Sequence, residues 1–118
     1  MSLFEKMSSE LLEKTTVMTR FMNNQALWEK FALKFVDDQT YEKLAEAITR
    51  RDKTKAFEEA HTLKGVVGNM GFMTLFSACI GLVEELREDG SWDDIIPHWQ
   101  GVQEEYHKIT EEIQKNRD

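Results

Sequence analysis

The 118 residues suffice for one domain with a buried core, 41% of them being hydrophobic and 31% charged. A formal net charge of −7 argues against nucleic acid and anionic membranes as partners, and one proline with six glycines leaves little turn material for a β fold. The single cysteine, Cys79, has no partner for an internal disulfide and is expected as a buried free thiol among Ala78, Ile80 and Leu82. No apolar run approaches the ~18 residues needed to span a bilayer, and the N-terminus has no signal-peptide core. Together these features lead us to expect a monomeric cytoplasmic protein with protein partners.

In chain order, Phe4, Met7, Leu11, Met18 and Met22 form a loose helical stripe that predicts a helical extension over residues 1–22. Asn23 and Asn24 are suited to cap the next helix, whose predicted inner face is Leu27, Phe31 and Phe35, with Trp28, Ala32 and Val36 beside it. Asp37 and Asp38 mark a break before a shorter amphipathic helix carrying Tyr41, Leu44, Ala45 and Ile48. Asp52 is a suitable N-cap for a helix with the seam Ala56, Ala60, Leu63, Val67 and Met70, and Gly71 stands where its C-terminus wants positive φ. Leu75, Cys79, Leu82 and Leu86 repeat the pattern up to Asp89-Gly90. A last helix from about Ser91, with Asp94 in a capping-box position, runs through Ile95, Trp99, Val102, Tyr106, Ile109 and Ile113. Pro97 predicts a kink or a delayed start there. With no convincing strand, the chain reads as an all-α, up-and-down bundle over residues 24–115 behind the N-terminal extension.

The stretch AHTLKGVVGNMG, Ala60 to Gly71, holds three glycines and one of the three histidines of the chain. On a helical wheel His61 points about 140° from the buried seam, with Gly68, Gly65 and Lys64 about 20°, 40° and 60° from it. A helical side chain leans toward the N-terminus, so a large group at position 65 would lie across the imidazole, and glycine leaves it uncovered. Gly68 is expected to keep the approach low for a second protein, and Lys64 to set its ammonium near an anion on the ring. Neutral imidazole, with a reference pKa of about 6.5, is a nucleophile near neutral pH, and a phosphoryl group on it would carry charge that Lys64 offsets. This helix has no acidic cluster for Mg²⁺, so a partner would have to supply the metal.

These residues resemble the signature of the histidine phosphotransfer domain of bacterial and fungal phosphorelays. His61, Leu63, Lys64, Gly65, Gly68 and Gly71 fill its places, and the resemblance runs from about Leu27 to about Ile113. It departs at Val66 and Val67, where small polar residues often sit; Val66 lies on the far side from His61. The resemblance implies a four-helix bundle with an added N-terminal helix and a single histidine phosphotransfer domain over residues 1–118. It implies a phosphoryl group accepted on His61 from a receiver-domain aspartate and passed to another receiver. The donor receiver could belong to a hybrid sensor kinase. Lys64 would support the phosphohistidine, and Gly65 and Gly68 would admit the receiver. Such domains are phosphocarriers rather than enzymes and bind no cofactor or metal of their own, the receiver bringing Mg²⁺. Two other functions fit the same chain: the phosphoacceptor domain of a chemotaxis-type kinase, and a helical adaptor without chemistry.

Phe57 and Phe72 fall on the His61 side of the wheel, where they either line a docking rim or pack under neighbouring helices. Arg50, Arg51, Lys53 and Lys55 form a solvated turn or a patch that steers an acidic receiver. His98 and His107 read as surface residues. The spacing of Glu104, His107 and Glu111 is common on acidic helices and weak as a metal site.

Overall fold

The computed structural model describes residues 1–117. Seven helices follow one another among them: α1 (Leu3–Lys6), α2 (Lys14–Arg20), α3 (Gln25–Val36), α4 (Thr40–Thr49), α5 (Lys53–Met70), α6 (Met73–Arg87) and α7 (Trp92–Asn116). Consecutive members of α4–α7 pack side by side through short connections. Tyr41 of α4 closes the bundle by stacking on Tyr106 of α7, ring centroids 3.7 Å apart at 4°, and on Trp99 at 5.4 Å. Helix α3 lies against α5 and α7. Among the described residues no helix is long and apolar enough to cross a membrane.

Local chemistry sets the helix boundaries. The backbone N–H groups of Leu27, Lys55 and Asp94 donate to the side chains of Asn24, Asp52 and Ser91, giving α3, α5 and α7 their N-caps. Gly71 takes φ +79 and ends α5, its N–H donating to the Gly68 carbonyl. At the end of α6 the left-handed residue is Asp89, φ 55, rather than Gly90. Helix α7 starts at Trp92 and contains Pro97 within it, so the proline does not delay the start.

The predicted seams of α5, α6 and α7 are buried at every position. Each Val, Leu, Ile or Met among them contributes about 1.5–3 kcal/mol by leaving water. The face of α3 differs from expectation: Trp28, Ala32 and Phe35 are buried, whereas Phe31 is 43% exposed. Trp28 fixes this orientation, with no exposed surface and its indole N–H donating to the Met70 carbonyl at 3.0 Å. The N-terminal extension is two short helices joined by a turn. It buries Leu3, Phe4, Met7, Leu12 and Val17, and leaves Met22 at 80% exposure.

Candidate functional site

His61 lies near the middle of α5 and is exposed, while Ala60 and Leu63 on either side of it point into the core. Its imidazole makes no hydrogen bond or ion pair within the described residues, so no ring nitrogen is engaged. Its aromatic neighbour is Phe57, one turn earlier, at 6.0 Å between centroids and 34° between planes. The Arg87 guanidinium of α6 stands over the other ring, 5.6 Å from the Phe57 centroid. Phe57 is half-buried, keeping one edge beside the histidine.

Phe72 is not part of this surface. It is fully buried, with ring centroids 6.1 Å from Trp28 and 5.4 Å from Phe35, and it forms the N-cap position of α6. Its place on the wheel assumed that α5 continued past Gly71, but the left-handed turn there redirects residue 72 into the core. The docking role expected of Phe72 is therefore corrected to a packing role.

The two glycines of the exposed face differ. A Cβ on Gly65 would meet nothing within 4 Å, so the surface one turn beyond His61 is open. A Cβ on Gly68 would stand 2.9 Å from Cε1 of Phe76, so the space freed by this glycine is filled by a ring of α6. The Gly68 carbonyl accepts a hydrogen bond from Arg20 Nη1 at 2.8 Å, and the Asn69 carbonyl accepts another at 3.0 Å. Lys64 is half-buried and has no carboxylate partner among the described residues. Its charge bears on the Cys79 thiol of α6, though burial dominates there and pushes that group up to about 12.

Between α2 and the C-terminal half of α5 runs a groove of about 430 Å³, bordered by Thr16, Arg20, Lys64, Gly65, Gly68 and Phe76. Lys64 and Gly65 belong both to this groove and to the surroundings of His61. The cations before His61 are engaged locally: Arg50 with Glu46 at 2.7 Å, Lys53 with Asp89 at 3.0 Å, and Lys55 with Glu58 and Glu59, each at 3.7 Å. Arg51 donates to the Ile48 carbonyl and stands over Trp92.

The described residues contain no group of three or more His, Cys, Asp or Glu side chains arranged to hold a metal ion. What the site offers is an exposed, unencumbered imidazole on a helix capped at both ends, an ammonium one turn away with no carboxylate partner among the described residues, and an open approach over Gly65. The family model of the Hpt domain matches residues 37–114. The chain belongs to the Hpt domain family. Searches of curated proteins and of solved structures gave no match. As an Hpt domain the protein takes part in histidine phosphotransfer within two-component phosphorelays and interacts with receiver domains. The match covers α4–α7 apart from the end of α7, leaving α1–α3 outside it. Sequence reasoning missed Arg20 and Phe76 as neighbours of the site. Arg20 reaches it from 48 residues away in the chain, and no local spacing signals such a contact.

Proposed function

We propose that His61 is the phosphoacceptor, taking a phosphoryl group from the aspartyl phosphate of one receiver domain and delivering it to an aspartate of another. The unprotonated ring nitrogen attacks phosphorus, a nitrogen–phosphorus bond forms, and the bond to the aspartate oxygen breaks with the carboxylate as leaving group. The second transfer is the same exchange in reverse. Lys64 offsets charge on the phosphohistidine, Gly65 admits the receiver's reacting face, and Phe57 lines the rim beside the ring. Mg²⁺ belongs to the receiver in this reading, and the chain acts as a carrier without catalytic groups of its own. The first receiver would be part of a hybrid sensor kinase or a separate response regulator.

The observation that carries this reading is the exposure of His61 opposite a seam that is buried throughout, with nothing above Gly65 to cover the ring. Incubation with a radiolabelled phosphorylated receiver should transfer label to the protein in an acid-labile, alkali-stable form. His61→Gln should abolish that transfer, and label persisting in this variant would sink the assignment.

A further inference from the structure

We infer that Phe57, braced by Arg87, is a positioning residue for transfer at His61: its ring holds the imidazole in the orientation from which a ring nitrogen meets phosphorus in line. The inference rests on His61 being the phosphoacceptor. The step itself is unchanged, a nitrogen–phosphorus bond forming as the bond to the aspartate oxygen breaks. Such an exchange needs the reacting atoms about 3–3.5 Å apart and aligned. The χ2 torsion of histidine is broad, so an imidazole on an open helix face sweeps its nitrogens through many directions unless something holds it.

The helical neighbours able to hold the ring stand three and four residues away, and they are Phe57, Glu58, Lys64 and Gly65. Gly65 has no side chain, and the Glu58 carboxylate lies 3.7 Å from the Lys55 ammonium. Neither Glu58 nor Lys64 makes a hydrogen bond to the imidazole among the described residues. The adjacent Thr62 turns its hydroxyl back to the Glu58 carbonyl, donating at 3.0 Å. Phe57 is the neighbour that meets the ring, with centroids 6.0 Å apart and planes at 34°, within the range of interacting aromatic pairs. A helical side chain leans toward the N-terminus, so the imidazole lies back over Phe57 and away from the open surface at Gly65.

Phe57 is itself anchored twice. It is half-buried against the core, and the Arg87 guanidinium stands 5.6 Å from its ring centroid. A guanidinium stacks well on an aromatic face, and Arg87 has no carboxylate partner among the described residues to draw it elsewhere. It also belongs to the last turn of α6, where the helix dipole favours a cation. The stack therefore runs from α6 through Phe57 to the imidazole, and ties the orientation of a ring on α5 to a second helix.

The test measures transfer from purified phosphorylated receiver domains of the source organism to the full chain and its variants, over a range of receiver concentration. Phe57→Leu keeps an apolar side chain and removes the ring. It should lower the rate at saturation about three- to tenfold while half-saturation stays within about twofold, and Phe57→Tyr should leave both within about twofold. Arg87→Ala should slow saturated transfer about two- to threefold in the wild-type chain and add nothing beside Phe57→Leu. Phosphoramidate, which transfers phosphoryl to imidazole with ammonia leaving, meets the ring in any orientation and should label every variant at the wild-type rate. Carbon relaxation of the His61 ring should show a higher order parameter in wild type than in Phe57→Leu. The inference is overturned if that order parameter is unchanged or if Phe57→Leu keeps the wild-type rate at saturation. It is equally overturned if the loss lies in half-saturation, as a docking contact would give, or if phosphoramidate labelling falls in step, as a folding defect would give. An Arg87→Ala effect of equal size in both backgrounds would overturn the bracing role of Arg87. Failure of the wild-type chain to accept label from any receiver would count against the phosphocarrier reading itself.

Discussion

Phe76 occupies the space that a side chain on Gly68 would need, its Cε1 lying 2.9 Å from the position of such a Cβ, whereas nothing approaches Gly65. The two helical glycines are thus bare for different reasons, one for packing between α5 and α6 and one for the open surface beside His61. Replacing Gly65 by alanine should stabilise the fold by about 0.5–1 kcal/mol, the usual gain in a helix interior. The same change at Gly68 forces the Phe76 ring to move, an overpacking cost of about 1–3 kcal/mol that cancels or exceeds the helical gain. Urea denaturation should place Gly65→Ala above wild type and Gly68→Ala at or below it. If Gly65→Ala is the more stable protein yet slower in receiver transfer, that glycine serves access at the expense of stability.

Gly71 should be far less replaceable. Its φ of +79 is in the left-handed region, and a Cβ there would overlap Cγ2 of Val17, which anchors α2. Strain in the turn and displacement of Val17 together predict a loss of about 2–4 kcal/mol for Gly71→Ala. Hydrogen exchange in this variant should show α2 losing protection before α5–α7, since α2 is the element pushed away.

The seams of α5 and α7 were legible because each apolar stripe has one helical period and a largely polar opposite face; that of α6 was legible from the 4, 3, 4 spacing of Leu75, Cys79, Leu82 and Leu86, although Met73, Phe76 and Ile80 lie off it. Helix α3 carries apolar residues around much more of its surface, from Leu27 and Trp28 to Phe35 and Val36. Periodicity alone could not choose between the stripe through Phe31 and the one through Trp28. That choice is made by the Met70 carbonyl, which accepts the indole N–H, and by Phe4, whose ring meets Trp28 edge-on at 5.3 Å. Both contacts join distant parts of the chain. In the candidate site, the exposure of His61 and the open space at Gly65 could be read from one helix. The ring over Gly68 and the Arg20 clasp could not, because they come from α6 and α2.

Cys79 has no exposed surface, and burial pushes its thiol up to about 12. At pH 8 only about one such thiol in ten thousand would be ionised even if reagent could reach it. The native protein should resist iodoacetamide for hours at that pH and be modified promptly in concentrated urea. Fast modification under native conditions would show that α5 and α6 separate locally, exposing the core beside Lys64.

Tyr41 and Tyr106, the only two tyrosines, stack face to face, and burial raises both above the ordinary value of 10. Tyr106 reaches about 12, with Glu42, Tyr41 and Asp38 adding to the effect of burial. The folded chain therefore keeps phenolic protons that the unfolded chain has already released between pH 10 and 12. Stability is unaffected by these groups below about pH 10 and falls as pH rises through that window. Absorbance at 295 nm should show the Tyr106 phenolate forming only towards pH 12, a step that Tyr106→Phe removes, and that variant should reduce the fall in urea midpoint over this range.

Lys64 supplies a cation without a carboxylate partner among the described residues, one turn from His61, and it is half-buried. A phosphoryl group on the ring brings close to two negative charges into this neighbourhood. Loss of the ammonium by Lys64→Ala should then remove roughly 1–2 kcal/mol of stabilisation, slowing receiver transfer about five- to thirtyfold. Lys64→Arg keeps the charge and should restore most of the rate. Folding stability must be measured alongside, because Lys64 is half-buried. A Lys64→Met variant, which keeps most of the apolar stem and loses the charge, should fold as well as wild type and transfer as slowly as Lys64→Ala. Transfer at the wild-type rate in Lys64→Met would remove Lys64 from the phosphohistidine's support.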